Sequence, residues 1–172
     1  TIRKDFEILK QFNFNAVRTS HYPPVSRYLE LANEYGLFII DEAGTESHAT
    51  EFVSKQKEYT EMYRERVRQM VLRDRNYPCV LFWSAGNESG EGFNITEAIK
   101  EGRKYDHSRY WMYGGNAYAH PAEEIIGPRY PLPIELEMQT GIIPDKNDRR
   151  PSFMDEYLSV AGNGGGGLDD YW

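Results

Sequence analysis

The sequence predicts an α/β fold built around a parallel β-sheet. Three observations lead to this class: short continuous apolar segments recur along the 172 residues, amphipathic helical patterns separate them, and most of the apolar segments end in charged, His or Asn side chains. Strands that are buried on both faces are continuous apolar runs, and helices cover the faces of a parallel sheet. The alternation therefore indicates successive βα units.

The first two helices and the strand between them are marked by apolar spacing and by their end signals. Residues 2–12 carry apolar side chains at helical intervals, and residues 15–20 are short and partly β-branched, which predicts a strand. Pro23-Pro24 then begins a helix with apolar positions at i, i+3, i+4 and i+7, and Gly36 ends it.

The next units follow the same order. Residues 37–40 predict a buried strand that ends in Asp41-Glu42, a long amphipathic helix follows, and residues 79–83 predict the next buried strand. Asn94 with Glu97 three positions later has the pattern of a capping box that begins a further helix. Residues 110–113, 124–127 and 152–156 are weaker strand candidates, and the Pro-rich segment 128–151 predicts a long loop.

The strand ends distinguish the two α/β architectures that fit this alternation. An open doubly wound sheet concentrates its site at one switch point, whereas a (β/α)8 barrel builds its site from the loops that follow all its strands. Here polar groups follow six successive strands: Arg18 to His21, Asp41-Glu42, Asn87-Glu88, Asn116, Arg129-Tyr130 and Asp155-Glu156. The predicted fold is therefore the (β/α)8 barrel.

Composition excludes several classes of partner. The chain has 20 Lys and Arg against 27 Asp and Glu, a net charge of −7, which argues against binding to a nucleic acid backbone. The longest apolar run, residues 79–83, is far shorter than the ~20 residues that span a bilayer. The single cysteine excludes an internal disulfide and leaves the compartment open between cytoplasm and periplasm. We expect a soluble protein.

Two glutamates are the strongest candidates for chemistry. Glu88 and Glu156 each follow a buried apolar run, so both side chains are expected at the carboxyl end of the barrel. Hydrolysis of a glycosidic bond needs one carboxylic acid and one carboxylate on opposite sides of the anomeric carbon. The pattern alone leaves a second interpretation open, in which the two glutamates form salt bridges with Arg18 or Arg129.

Longer motifs resemble the catalytic barrel of glycoside hydrolase family 2, the β-galactosidase group. They are residues 15–23 (NAVRTSHYP), 40–43 (IDEA), 73–78 (RDRNYP) and 83–90 (WSAGNESG). Residues 155–157 (DEY), with Gly162-Asn163 and Tyr171-Trp172, are similar to the segment around that family's nucleophile. The similarity runs through almost the whole chain in the same order.

The resemblance implies a retaining exo-β-glycosidase in which Glu88 is the general acid/base and Glu156 the nucleophile. It also implies four substrate-binding side chains. Arg18 would orient the nucleophile, and Tyr130 would donate a hydrogen bond to it. His21 would contact the sugar, and Asn87 would hold the sugar's 2-hydroxyl. The family's magnesium ligands correspond to Glu46 and His48 with Glu88, a donor set that suits a hard cation. A solvated loop is the alternative interpretation of Glu46-Ser47-His48.

The resemblance leaves the sugar open. A terminal β-galactoside is the expected substrate, but Ser159 stands where the family's β-galactosidases carry a His near the sugar's 6-hydroxyl, and Gly44 stands where Asn is usual. β-Glucuronidase and β-mannosidase activities of the same family are therefore alternatives. A non-catalytic carbohydrate-binding barrel and a metal-dependent hydrolase are alternatives from other classes.

The length of the chain predicts a partial barrel. A complete (β/α)8 barrel takes about 250 residues, and matching to the family makes the six strands of residues 1–172 its second to seventh. We expect the family's flanking β-sandwich domains to lie outside this sequence. Other domains of a full-length chain, and further copies in a homo-oligomer, are the expected protein partners.

Overall fold

A computed structural model describes residues 1–115, 122–126, 129–134 and 149–158. Four parallel strands form one sheet in which spatial order follows chain order. The strands are β1 (Ala16–Arg18), β2 (Phe38–Glu42), β3 (Val80–Asn87) and β4 (Trp111–Gly114). The α-helices are α1 (Ile2–Gln11), α2 (Ser26–Tyr35), α3 (Thr60–Asp74) and α4 (Phe93–Arg103). Two 3-10 turns, Glu51–Lys55 and Lys57–Tyr59, precede α3.

The order of the sheet is that of a barrel segment. Successive strands pair as neighbours and in parallel, without the reversal of strand order that defines a doubly wound sheet. Two of the weaker strand candidates continue the series as single parallel bridges, which join Ile126 to Ser152 and Arg129 to Glu156. The backbone N–H groups of Glu124 and Ile125 donate to the carbonyl of Trp111, so this segment lies beside β4.

The two faces of the sheet bury different clusters. The face that packs on the helices contains Ile39, Trp83 and Trp111, and the two indole rings stack with their centroids 6.1 Å apart. The opposite face, which is the interior of the barrel, carries a smaller layer: Ile40, Phe82, Met112 and Ile125. Since side chains alternate along a strand, Glu42 projects to the same interior side as Ile40.

The predicted end of α2 is confirmed, whereas the predicted capping box is wrong. Gly36 adopts a left-handed conformation with φ 64°, and its N–H donates to the last turn of α2. Asn94 does not begin α4, which starts at Phe93 after Gly92. Its buried amide instead donates to the carbonyls of Val53 and Gln56, at 3.1 and 2.8 Å. Asn94 thus satisfies backbone groups of a 3-10 turn distant in sequence.

Two other sequence expectations have clear outcomes. β3 extends to Asn87 rather than ending at residue 83, because Ser84, Ala85 and Gly86 are small and continue the buried ladder. Most of the predicted loop 128–151 lies outside the described residues. Among the residues that the structure describes, none of the helices is long and apolar enough to cross a membrane.

The close approach of α4 to the sheet gives a stability prediction. A Cβ at Gly102 would overlap the indole of Trp111 and lie 2.8 Å from Cγ1 of Val67. We expect Gly102→Ala to lower the free energy of unfolding by about 1–3 kcal/mol, the usual cost of overpacking a core. Calorimetric melting of the protein measures it.

Gly44→Ala is the matched control, since a Cβ there would meet only Cβ of Tyr22, at an ordinary 3.7 Å. Its expected effect is within about 0.5 kcal/mol. Equal melting temperatures for the Gly102→Ala variant and the wild type would contradict this packing.

Candidate active site

Polar side chains from every described strand except β4 meet at the carboxyl end of the sheet. Arg18, Glu42 and Asn87 are the last residues of β1, β2 and β3. Glu88 follows β3 directly, and Glu156 lies in a segment bridged to Arg129. The eight site residues predicted from the sequence belong to one connected group of side chains: Arg18, His21, Glu46, His48, Asn87, Glu88, Tyr130 and Glu156.

Arg18 connects the strands to one another. Its side chain is 8% exposed, and its guanidinium group has partners on several separate segments of the chain; the terminal nitrogen that donates to Asn87 also lies 2.7 Å from Oε2 of Glu42. Nε donates to Glu42 at 2.7 Å, one terminal nitrogen donates to Glu156 at 3.0 Å, and the other donates to Oδ1 of Asn87 at 2.8 Å. A planar guanidinium presents its donors in a rigid fork, so Arg18 fixes these three groups relative to one another.

Glu42 is the fully buried partner of Arg18. Its side chain is 0% exposed, and it accepts from the Ser84 hydroxyl at 2.6 Å. Its other oxygen lies 2.8 Å from Nδ1 of His21. A carboxylate can only accept, so Nδ1 of His21 carries a proton and Nε2 is an acceptor, with Nδ2 of Asn87 3.5 Å away.

Asn87 has a fixed amide orientation. Its Oδ1 accepts from Arg18 and from Arg129, and its Nδ2 donates to Glu46 at 2.6 Å. Because both guanidinium groups are donors only, the oxygen of the amide must face them. The Nδ2 group is thereby directed towards the Glu46 side of the site.

Glu156 is a partly exposed carboxylate surrounded by donors. It accepts from Arg18, forms an ion pair with Arg129 at 3.2 Å and accepts from the Tyr130 hydroxyl. Burial acts to raise the pKa of Glu156, but the Tyr130 hydroxyl and the two guanidinium groups outweigh it and hold that pKa below its usual range. The same hydrogen bond, with burial, raises the pKa of Tyr130 to about 12. Tyr130 therefore remains a donor at neutral pH.

Glu88 lies opposite, between a cation and an imidazole. One of its oxygens lies 2.5 Å from a terminal nitrogen of Arg129, and the other lies 2.6 Å from Nε2 of His48. Nε2 of His48 is also 2.8 Å from Glu46. Glu46, His48 and Glu88 each offer a ligand atom, and these atoms lie within 4.8 Å of one another.

Two residues of the group, Glu42 and Asp155, had no assigned role in the sequence analysis, and Arg129 had a role there only as a salt-bridge partner in the alternative interpretation. The positions of Glu42 and Asp155 after apolar strands were visible in the sequence, but their pairing was not. The salt bridges that the sequence offered as the alternative interpretation are present, since Glu156 pairs with Arg18 and Arg129, and Glu88 pairs with Arg129. Ser159 lies outside the described residues, and Gly44 offers its carbonyl to Arg66.

Comparison with known proteins gives two groups of relatives. The chain is 37% identical to the β-galactosidase of Vibrio vulnificus (strain CMCP6) over 180 residues, which cover 98% of this chain and 17% of that protein. It is also 37% identical to the β-galactosidase of Leuconostoc mesenteroides over 183 residues, or 100% of this chain and 18% of that protein. The chain thus spans less than a fifth of the length of these curated relatives.

Solved structures resemble the fold over most of the chain. A β-D-glucuronidase of Dictyoglomus thermophilum superposes with a TM-score of 0.63 and 26% identity, over 81% of this chain and 29% of that one. A β-glucuronidase of Ruminococcus gnavus in complex with D-glucuronic acid superposes with a TM-score of 0.63 and 29% identity, over 75% of this chain and 24% of that one.

The family model agrees with the sheet order and with the relatives. The model of glycosyl hydrolases family 2, TIM barrel domain, matches residues 1–172. The parallel four-stranded sheet, with its polar groups gathered at the carboxyl strand ends, is the corresponding part of such a barrel. The chain belongs to the TIM barrel domain of glycosyl hydrolase family 2.

Proposed function

We propose that this chain is the catalytic part of a retaining exo-β-glycosidase that acts by double displacement on terminal β-linked sugars. One observation carries the proposal. Glu88 and Glu156 each form an ion pair with a different terminal nitrogen of Arg129, so the two carboxylates lie close together. Retaining enzymes need such a pair with their carboxyl groups about 5–5.5 Å apart. The arrangement is compatible with this chemistry.

Glu156 is the proposed nucleophile. Its lowered pKa keeps it ionised at neutral pH, and Arg18 and Tyr130 direct its oxygens. In the first step the carboxylate attacks the anomeric carbon, and the bond from that carbon to the leaving oxygen breaks. The product is a glycosyl ester on Glu156.

Glu88 is the proposed general acid/base. In the first step it donates its proton to the leaving oxygen, and in the second it takes a proton from the water that attacks the glycosyl ester. The second step releases the sugar with its original anomeric configuration and regenerates both carboxyl groups. The side chain of Glu88 is 32% exposed, which leaves a route for the water.

A β-galactoside is the proposed substrate. The curated relatives with 35–38% identity are β-galactosidases, and His21 and Asn87 supply a ring nitrogen and an amide for sugar hydroxyls. A β-glucuronide is the second candidate, because β-glucuronidases are among the structural relatives. A non-catalytic carbohydrate-binding barrel would bind the sugar without turnover.

The cluster of Glu46, His48 and Glu88 is the proposed Mg²⁺ site. The donor chemistry fits, since two carboxylates suit a hard cation and one imidazole is tolerated. Their ligand atoms already converge within 4.8 Å. A divalent cation bound there would offset the negative charge of the two carboxylates and restrain the orientation of Glu88.

Replacing each carboxylate separately tests the assigned roles. With nitrophenyl β-galactoside, β-glucuronide and β-mannoside as substrates, we expect wild-type turnover to be highest on the galactoside. Glu156→Gln is expected to lower kcat by more than about 10⁴-fold on every substrate, because the covalent route is lost. Glu88→Gln is expected to lower kcat by about 10²–10⁴-fold for substrates with poor leaving groups, and by much less for a substrate with a dinitrophenyl leaving group.

Azide distinguishes the two carboxylates further. It should restore turnover of the Glu88→Gln variant by forming a β-glycosyl azide, and should leave the Glu156→Gln variant inactive. The exposed neighbour Glu91 supplies the control variant Glu91→Gln, with wild-type kinetics. Loss of activity on all substrates in both variants, without rescue by azide, would contradict the assigned roles. A wild type that binds the sugars without turnover would favour the non-catalytic barrel.

The lowered pKa of Glu156 predicts a pH effect. Tyr130→Phe removes one hydrogen bond to the ionised carboxylate, so the pKa of Glu156 should rise. The acid limb of kcat/KM, which requires that carboxylate ionised, should then move to higher pH. An acid limb that does not move would contradict the role of Tyr130.

Chelation tests the metal site. EDTA treatment should lower kcat, and Mg²⁺ should restore it in the wild type but not in the Glu46→Gln variant, which loses one carboxylate ligand. Titration calorimetry with Mg²⁺ should give one binding event in the wild type and a much weaker one in Glu46→Gln. Activity indifferent to EDTA, together with no heat of binding, would remove Glu46 and His48 from the site.

A further inference from the structure

Arg129 has an unusual position between the two catalytic carboxylates. One terminal nitrogen lies 2.5 Å from Oε1 of Glu88, and the other lies 3.2 Å from Oε1 of Glu156. The second nitrogen also donates to Oδ1 of Asn87. Arg129 therefore touches both carboxylates and the amide beside them, although its own side chain is only 12% exposed.

The guanidinium of Arg129 occupies a space that the end of β4 leaves free. A Cβ on Gly114 would collide with its terminal nitrogen, and would lie 2.6 Å from Oδ1 of Asn87 and 2.8 Å from a terminal nitrogen of Arg18. Arg129 thus lies against the backbone at the base of the site. Arg129 contacts one oxygen of each carboxylate. The second oxygen of Glu88 faces His48, and the second oxygen of Glu156 accepts from Tyr130.

A buried carboxylate holds this guanidinium in place. The side chain of Asp155 is 0% exposed, and its Oδ2 accepts from Arg129 at 2.7 Å and lies 3.5 Å from Arg18. A buried cation is tolerated only when anions and hydrogen bonds compensate its lost hydration. Burial acts to raise the pKa of Asp155, and the charge and hydrogen bond of Arg129 oppose that rise.

We propose that Arg129 is a positioning residue that ties Glu88 and Glu156 to one rigid guanidinium and so sets the distance between them, with Asp155 as its anchor. This inference rests on the proposed glycosidase function, and it names the residue that holds the two carboxyl groups at their working distance. In the proposed mechanism Glu156 is ionised in the first step and Glu88 in the second, and a cation that touches both groups attracts whichever of them is ionised. The two terminal nitrogens that form these ion pairs are held at a fixed separation by the planar guanidinium group.

Lysine supplies the discriminating substitution. Lys carries the same charge as Arg on a single ammonium, whose three N–H donors can pair with carboxylates but which does not present two nitrogens in a fixed plane. A role limited to charge neutralisation would be largely retained by Arg129→Lys. A positioning role would be retained only in part, and Arg129→Met would abolish it.

The experiment measures steady-state kinetics of the full-length protein with a dinitrophenyl glycoside of the sugar that the wild type turns over best. We expect Arg129→Met to lower kcat about 10²-fold, the cost of about 1 Å of misplacement, with KM within about threefold. The kcat of Arg129→Lys should be about tenfold higher than that of Arg129→Met, and the kcat of Asp155→Asn should be about tenfold lower than that of the wild type. Covalent trapping by a 2-deoxy-2-fluoro glycoside should slow in the same order.

Arg68→Met is the matched control, because Arg68 forms ion pairs with Glu61 and Glu101 on the helical layer. Its kcat should equal that of the wild type. Calorimetric melting of each variant separates loss of fold from loss of position. In a crystal structure of Arg129→Met, the carboxyl separation should exceed the about 5–5.5 Å expected of a retaining pair.

A kcat for Arg129→Met within threefold of the wild type would overturn the inference, as would an unchanged carboxyl separation. Equal losses in the Lys and Met variants, with equally lowered melting temperatures, would also overturn it and assign Arg129 a role in folding alone. In each of these outcomes the wild type still hydrolyses its substrate, so the proposed function stands. An inactive wild type would contradict the proposed function instead.

Discussion

The ion pair of Arg18 with Glu42 is the interaction on which the rest of the site depends. It joins the ends of β1 and β2 at 2.7 Å, away from water. Removing one member would leave an uncompensated buried charge, which typically costs several kcal/mol. Because the remaining donors of Arg18 reach Asn87 and Glu156, a disturbance of this pair would reach both the third strand and the proposed nucleophile.

The division of each strand between two faces explains why charged groups can gather at one end. Ile40, Phe82 and Met112 close the barrel interior below the site with apolar side chains, while Trp83 and Trp111 secure the outer face against the helices. The charged groups of the site lie where the strands end or directly after them. The cost of their burial is offset by mutual pairing, since each guanidinium contacts a fully buried carboxylate, Glu42 or Asp155.

Much of this arrangement can be predicted from sequence, and the limits are physical. Residues 37–40 and 79–83 are continuous apolar runs, which have few structural alternatives, and the glutamate after a buried strand is confined to one end of a parallel sheet. The sequence offered Arg129 only as one of two possible salt-bridge partners of the glutamates, and its simultaneous contact with Glu88 and Asp155 could not be predicted, because it depends on the register of three separate segments. The capping role predicted for Asn94 was wrong, because a local pattern cannot reveal partners that are distant in sequence. The amide of Asn94 donates to two carbonyls about 40 residues away.

The sequence separation within the Arg18–Glu156 contact has a consequence for how the protein is made. The two residues are 138 positions apart, whereas Glu42 and Asn87 are 24 and 69 positions from Arg18. During synthesis on the ribosome, the early partners of Arg18 emerge long before Glu156 does. A nascent chain can thus bring Arg18 together with Glu42 and Asn87 first, and Glu156 then meets a guanidinium group that is already in place. Under the proposed function, hydrolysis must then wait until the segment that carries Glu156 has been translated.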